Sequence, residues 1–418
     1  MTAARTAVDL IRLSRSARLP PHRLRELQDR RLRHLVAHAY ATVPFYRRLF
    51  DGIGAEPGDI RGVDDLVHLP VTTRSDLLAQ PVRDVLSSAF SDDEMIAIHT
   101  HGSTGIPFRV RLDRQHFQHR RALFLRALLA GTYRLGQRLM LVTDRPKKPM
   151  PRWLNWHYVS RDDPFELMRS EFLRIRPRFL YGWATLLRQI AEGVQGASFP
   201  RLAGIYTTAE TVEPATRRLL EGVFGAPVFD IYGSNELGPV AWQCRARAGH
   251  HISEESTILE LLPVAGSEAG RVVATSLGNL AMPLIRYDTA DLARAGETST
   301  CACGRSLRRL ASIEGRSVDT VVTRDGRRIS PWYFTDRIEV LPGMRRFQIV
   351  QTDIDQFLVR AQVAQDAPAD TAERIVAEVR GIVGEPAAVA VEFAPQIDPP
   401  PGRKFRVVES RVGGAGGA

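Results

Sequence analysis

"LAGIYTTAETVEPATRRLLEGVFGAPVFDIYGSNELG", residues 202–238, is the stretch that decides the fold. "LAGIYTT" is an apolar, β-branched run that reads as a strand. "EPATRRLLEGVFG" spaces its apolar residues as a helix does. "PVFDIYG" reads as a second strand. The same alternation runs upstream. "QRLMLVT" (137–143) and "RFLYGW" (178–183) read as strands, and "DPFELMRSEFLRIRP" and "ATLLRQIAEGV" read as helices. Repeated helix–strand alternation predicts an α/β domain with a parallel or mixed sheet covered by helices.

Outward from this centre the pattern changes. Residues 22–50 read as helix, broken at Pro44. Residues 60–85 mix short helices and turns, and Thr73 or Ser75 is placed to cap one of them. Residues 114–130 read as helix, and 257–290 become strand-rich. The last hundred residues form a different unit. "VDTVVTRDGRRISP" is a hairpin with a D-G turn. A helix (331–341), strands (346–351, 357–364), a helix (369–383) and a strand (388–393) follow. The expected organisation is a large N-terminal domain, 1–315, and a small α+β C-terminal domain, 316–418.

Composition bounds the function. The chain has 418 residues with 44% hydrophobic and 25% charged content, which fits a soluble globular protein with a sizeable core. No apolar run is long enough to span a bilayer, and the N-terminus has no signal-peptide core. A cytoplasmic protein without membrane partners is expected. The net charge is +10. Its arginines are scattered as pairs such as Arg120-Arg121 and Arg345-Arg346, with no basic tail, so nucleic acid is not the expected partner. The chain has three lysines, Lys147, Lys148 and Lys404. Where Arg is the default cation, the isolated Lys404 in "PPGRKFRVVES" suggests a need for a compact ammonium.

Five stretches carry chemistry. "IHTHGSTGIPFRV" (98–110) sets Gly102, Ser103, Thr104 and Gly105 between two strands, a loop able to wrap phosphate oxygens. By itself it is better read as a tight structural hairpin, since no Lys-Ser/Thr follows the glycines. In "FDIYGSNELG" a strand runs into Tyr232-Gly233-Ser234 and then Glu236. Glycine lets a ligand approach the backbone, and a carboxylate past a strand end can hold Mg²⁺ beside phosphates. Asp291, in "MPLIRYDTADLAR", is read as lying just past a strand-like segment, where a carboxylate can accept ribose hydroxyls. "IEGRSVDTVVTRDG" (313–326) sits at the domain boundary, and "PPGRKFRVVES" completes the set.

The order and spacing of these stretches resemble the adenylate-forming (acyl-CoA synthetase-like) superfamily. Within it the chain looks most like the phenylacetate–CoA ligase family and its capsule-biosynthesis relatives. The opening "LRHLVAHAYATVPFYRRLF", "LVHLPVTTRSDL" and "MPLIRY" share in the likeness. The resemblance implies that Gly102, Ser103, Thr104 and Gly105 hold the ATP phosphates. Ala209 and Glu210, together with Asp230, Ile231, Tyr232, Gly233 and Ser234, would frame the nucleotide. Glu236 would bind Mg²⁺, Asp291 and Arg316 the ribose, and Lys404 would serve catalysis from the small domain. The chain departs from the family pattern at His101, Phe108, Asn235, Val318 and Arg403. Val318 bears on the hinge between the domains.

What this implies is ATP-dependent activation of a small carboxylic acid, aryl or arylacetic, as an acyl adenylate. Transfer to a nucleophile follows, with CoA as the first choice and an amine or hydroxyl as the alternative. A nucleotide-binding relative without turnover, serving polysaccharide assembly, is a further alternative. The oligomeric state is not legible.

The cysteines suggest another site. Cys244, Cys301 and Cys303 fall into two segments, "CRARAGHH" and "CACGR". With His250 or His251 they form a Cys₃His set able to hold tetrahedral Zn²⁺. His251, beside the strand-like "ISEESTILEL", is preferred. Three thiols without a metal are the alternative.

Overall fold

The alternation of residues 137–234 becomes five parallel strands. In spatial order they are Trp156–Ser160, Leu139–Thr143, Phe179–Trp183, Gly204–Thr208 and Val228–Ser234. The computed structural model describes residues 2–100, 108–143, 151–264, 267–316, 320–329, 331–397 and 405–412. Successive strand residues face opposite sides, so a strand covered on both sides reads as an unbroken apolar run. Met140 and Val142 meet the helices Phe165–Ile175, Ala184–Gly193 and Pro214–Phe224 through Phe172, Leu187 and Leu220. Leu139 and Leu141 lie in the other core, with Ala127 and Leu128 of the helix Arg114–Ala130. Full burial of one such side chain contributes about 1.5–3 kcal/mol.

After Ser234 the sheet continues in antiparallel fashion. Gly238–Gln243, His250–Ile252, Arg309–Arg316, Tyr287–Ala295, Gly270–Ser276 and Thr257–Leu262 extend it to eleven strands among the described residues. The helices Pro21–Thr42 and Pro44–Gly52 cover this half through Leu35, Tyr46 and Phe50. Pro44 starts the second helix because Val43 before it is extended, at φ −117°. Thr73 caps Arg74–Leu78 in a reciprocal pair with Asp76.

"MPLIRY" is a buried anchor. Arg286, at φ +48°, makes two bonds to Glu260 (2.9 and 3.2 Å) and donates to the Leu69 carbonyl. Thr72 pairs with the same segment, donating to the Arg286 carbonyl (2.9 Å) and accepting from Asp288 N (2.8 Å). The motif thus fixes the N-terminal "LPVTT" segment to the sheet.

The C-terminal unit has its own core. Ala388–Phe393, Gln356–Val363, Met344–Asp353 and Val408–Ser410 form a four-stranded sheet. The helices Pro331–Ile338 and Thr371–Val383 pack Phe334, Ile338, Ile375 and Val379 against Phe347, Ile349 and Val359. The D-G turn predicted between Val321–Val322 and Arg328–Ile329 is present, with Gly326 at φ +81°. No helix among the described residues is long and apolar enough to cross a membrane.

Candidate active site

In open α/β sheets, ligands bind beyond the carboxyl ends of the parallel strands. At that edge, Ala209 follows Gly204–Thr208 in a left-handed conformation, φ +68°. A non-glycine residue there costs about 1–2 kcal/mol, and such strain gathers at functional sites. It carries Glu210 back over the start of the helix Ala184–Gly193. The Glu210 carboxylate accepts from Thr185 N at 2.9 Å and Thr185 Oγ1 at 2.6 and 2.7 Å. A carboxylate at a helix N-terminus satisfies a free N–H and complements the dipole. Thr185, which holds the Glu210 carboxylate in place, is not singled out by the sequence.

Two separately read motifs meet at the end of Val228–Ser234. Tyr232 donates its hydroxyl proton to Asp291 Oδ2 at 2.7 Å. Asp291 also stands opposite Arg316 in the register of the neighbouring strand. The strand boundary differs from the sequence reading. Asp291 lies inside Tyr287–Ala295, not past a strand. The polar run "DTAD" does not look like a strand because its residues bend the backbone. Asp288 Oδ1 accepts from Ala290 N (2.8 Å), Thr289 Oγ1 from Asp291 N (3.2 Å), and Ala290 is left-handed at φ +59°.

Asp230 points the other way. Its buried carboxylate accepts from Thr207 Oγ1 at 2.7 Å and bonds to His250 Nε2 at 2.9 Å. Asp230 therefore locks strands together, and only residues nearer the strand end face the edge. Glu236 is half-buried in the turn after Ser234.

A narrow cleft of about 80 Å³ runs between the large and small units, lined by Thr185, Glu210, Gly315, Arg346 and Phe405 among others. The Arg346 guanidinium lies over the Phe405 ring, 3.7 Å from its centre, a cation–π contact. Phe405 follows Lys404 in the chain, so the cleft receives the immediate neighbour of that lysine. Gly102, Ser103, Thr104, Gly105, His101, Val318, Arg403 and Lys404 themselves lie outside the described residues. The strands flanking residues 101–107 close with Thr100 opposite Phe108.

The cysteine segments converge elsewhere. Cys244, His251, Cys301 and Cys303 bring their ligand atoms within 4.8 Å of one another. Cys244 Sγ to Cys301 Sγ is 3.7 Å, and Cys303 Sγ to His251 Nε2 is 3.4 Å. Zinc bond lengths of about 2.0–2.3 Å in a tetrahedron put ligand atoms about 3.5–3.8 Å apart. The donor set and spacing fit that ion. Strand alternation decides between the histidines: His250 turns to Asp230, and its neighbour His251 turns to the thiols. Burial and nearby Arg305 lower the His251 pKa to about 4, so the imidazole is neutral, as a ligand must be.

The chain resembles characterised proteins over most of its length. Phenylacetate-coenzyme A ligase of Thermus thermophilus is 30% identical over 336 residues, covering 73% of each chain. The chain belongs to the phenylacetate–CoA ligase family. It is an AMP-forming carboxylate ligase of the adenylate-forming fold. Residues 321–411 match the CapK C-terminal domain. Among solved structures, 2-hydroxyisobutyryl-CoA ligase in its postadenylation state superimposes with a TM-score of 0.81 at 20% identity, over 95% of this chain and 92% of that one. The same ligase in its thioesterification state gives 0.64 at 19% identity, over 95% and 92%.

Proposed function

We propose that this ligase activates an aryl or arylacetic acid with ATP and passes the acyl group to coenzyme A. The observation that carries the nucleotide site is the meeting of Tyr232, Asp291 and the Arg316 strand position at the carboxyl edge of the sheet. A cluster of half-buried aromatic side chains on the same sheet supports the acid class. Phe124 meets Tyr181 and Trp156 edge-on, with centroids at 5.0 and 6.0 Å, and Tyr158 is half-buried with them. Edge-to-face aromatic contacts favour an aryl guest over an aliphatic one.

In this reading the ribose hydroxyls bond to Asp291 and Arg316, and Gly102–Gly105 hold the phosphates. Ala209, Glu210 and the Ile231–Ser234 main chain border the base, with Asp230 bracing that strand from within. A half-buried carboxylate beside phosphates suits a hard cation, so Glu236 would hold Mg²⁺, which offsets phosphate charge when bound. The substrate carboxylate oxygen attacks the α-phosphorus and pyrophosphate leaves. Lys404 supplies the ammonium that stabilises the crowded anionic transition state. The CoA sulfur then attacks the acyl carbon, and AMP leaves. The large domain, 1–315, carries the nucleotide site, and the small domain, 316–418, carries Lys404. The Cys₃His cluster holds a structural Zn²⁺, with all four positions filled by the chain.

A pyrophosphate-release screen over carboxylic acids, with and without CoA, tests this. Release with aryl acids and thioester formation on adding CoA are expected. Lys404→Ala should slow release about 100- to 1000-fold, and Lys404→Arg should not rescue it, because a fork is not a point charge. No release with any acid overturns the activity. Release that yields amide or ester but no thioester reassigns the acceptor.

A further inference from the structure

The turn that carries Glu236 is tied down from outside its own strands. Arg120, on the helix Arg114–Ala130, donates from Nη1 to the Asn235 carbonyl at 2.9 Å and from Nη2 to the Ser234 carbonyl at 3.4 Å. Those are the two residues immediately before Glu236. Ser234 Oγ also accepts from Leu237 N at 3.2 Å, closing the turn across Glu236.

Two glycines make the contact possible. Gly238 is left-handed at φ +78°, and a Cβ there would lie 2.6 Å from Arg120 Nε. A Cβ on Gly233 would lie 2.2 Å from the Gly238 carbonyl oxygen. A side chain at either position would force the turn open or push the guanidinium away. Arg120 and Glu236 also attract each other electrostatically. Burial lowers the Arg120 pKa to about 10, and Glu236 opposes that shift, so the guanidinium stays charged at neutral pH.

We propose that Arg120 is a positioning residue for metal binding: it locks the Ser234–Glu236 backbone so that the Glu236 carboxylate is preset toward the cation that accompanies ATP. The proposal rests on the reading of Glu236 as the Mg²⁺ ligand. Its logic is that of an outer-shell partner, which orients a ligating group without touching the ion. A clamp with a purely structural role would affect melting but not the response to metal.

The test uses the full chain with Arg120→Ala, Arg120→Lys, Gly238→Ala and Glu236→Gln. Mn²⁺ binding in the presence of ATP is followed by electron paramagnetic resonance, alongside ATP binding in chelator by calorimetry. Arg120→Ala should weaken Mn²⁺ binding about 10- to 100-fold, the range for loss of an outer-shell partner, with metal-free ATP binding little changed. Arg120→Lys should restore part of the loss, since an ammonium reaches one carbonyl but lacks the fork for two. Gly238→Ala should shift Mn²⁺ binding in the same direction, and it provides the reading if Arg120→Ala does not fold. Unchanged metal affinity in the folded Arg120→Ala or Gly238→Ala protein, with Glu236→Gln strongly weakened, overturns the positioning role and leaves Glu236 as the ligand. Unchanged affinity in Glu236→Gln overturns the metal reading itself, and the role of Arg120 with it.

Discussion

Asp291 and Asp230 show how far one carboxylate can differ from another. Both sit in stretches that the sequence marks as nucleotide-binding, and both lie on strands of the same sheet. Asp230 is enclosed by Thr207 and His250, so replacing it should cost folding stability before it costs binding. Asp291 is less buried, accepts the hydrogen bond from the Tyr232 hydroxyl and stands at the edge. Asp291→Ala should therefore weaken ATP binding much more than acid binding. Losing hydrogen bonds to a charged group costs about 1.5–3 kcal/mol, or roughly 10- to 150-fold in affinity. Tyr232→Phe removes only the donor that orients the carboxylate and should cost less, about 1 kcal/mol. Calorimetry that finds equal ATP affinity in Asp291→Ala and wild type rules out the ribose role.

At the scale of elements, the Cys₃His cluster joins pieces that are distant in sequence. Cys244 follows the strand Gly238–Gln243, His251 lies in His250–Ile252, and Cys301 and Cys303 precede Arg309–Arg316. A metal here would staple three neighbouring strands just before the small domain. Purified protein should carry about one Zn²⁺ per chain, as one four-ligand site requires. Cys303→Ser should lose the ion and melt at a lower temperature, with activity affected only through stability. Metal analysis and a melt decide it: zinc-free wild-type protein, and a Cys303→Ser variant that melts unchanged, would refute the site. The elements themselves were unevenly legible. Leu139–Thr143 was plain because both of its faces are buried. Trp156–Ser160, an edge strand with one buried residue, mixes polar and aromatic side chains and gave no pattern. Val408–Ser410 is too short to show a period. The site follows the same division. Tyr232, Glu236 and Asp291 were readable as motifs, because each is set by a local turn. Thr185 and Arg120 were not, because their partners lie 25 and about 115 residues away.

At the scale of the whole molecule, the contact between its large and small units holds a pair of neighbouring carboxyl groups, Glu213 and Glu339. Glu339, at the end of the helix Pro331–Ile338, is buried and accepts from Ala215 N of the large unit at 2.7 Å. Its carboxyl group lies near enough to that of Glu213 for the two to influence each other's ionisation. Arg188 also crosses the contact, from Nη2 to the Arg345 carbonyl at 2.8 Å. Two carboxyl groups so close cannot both ionise cheaply. Burial, then the Glu213 charge, push Glu339 up to about 8, with Arg218 and Arg188 opposing. Burial likewise raises Glu213, with Arg346 and Arg188 opposing and Glu210 adding to the rise. The sign follows from proton counting. The closed arrangement holds a proton that a solvated glutamate releases near its ordinary value of 4.5. Closure is therefore fully favoured at low pH and weakens as pH rises, by up to about tenfold per unit, until Glu339 ionises near 8. Raising the pH should therefore weaken the contact between the two units. A pair of fluorophores across the contact should report closure falling between about pH 5 and 8, the window bounded by the two Glu339 values. Glu339→Gln, which keeps a neutral donor beside Glu213, should flatten that profile. A wild-type profile already flat over this window would mean that the pair carries no shared proton.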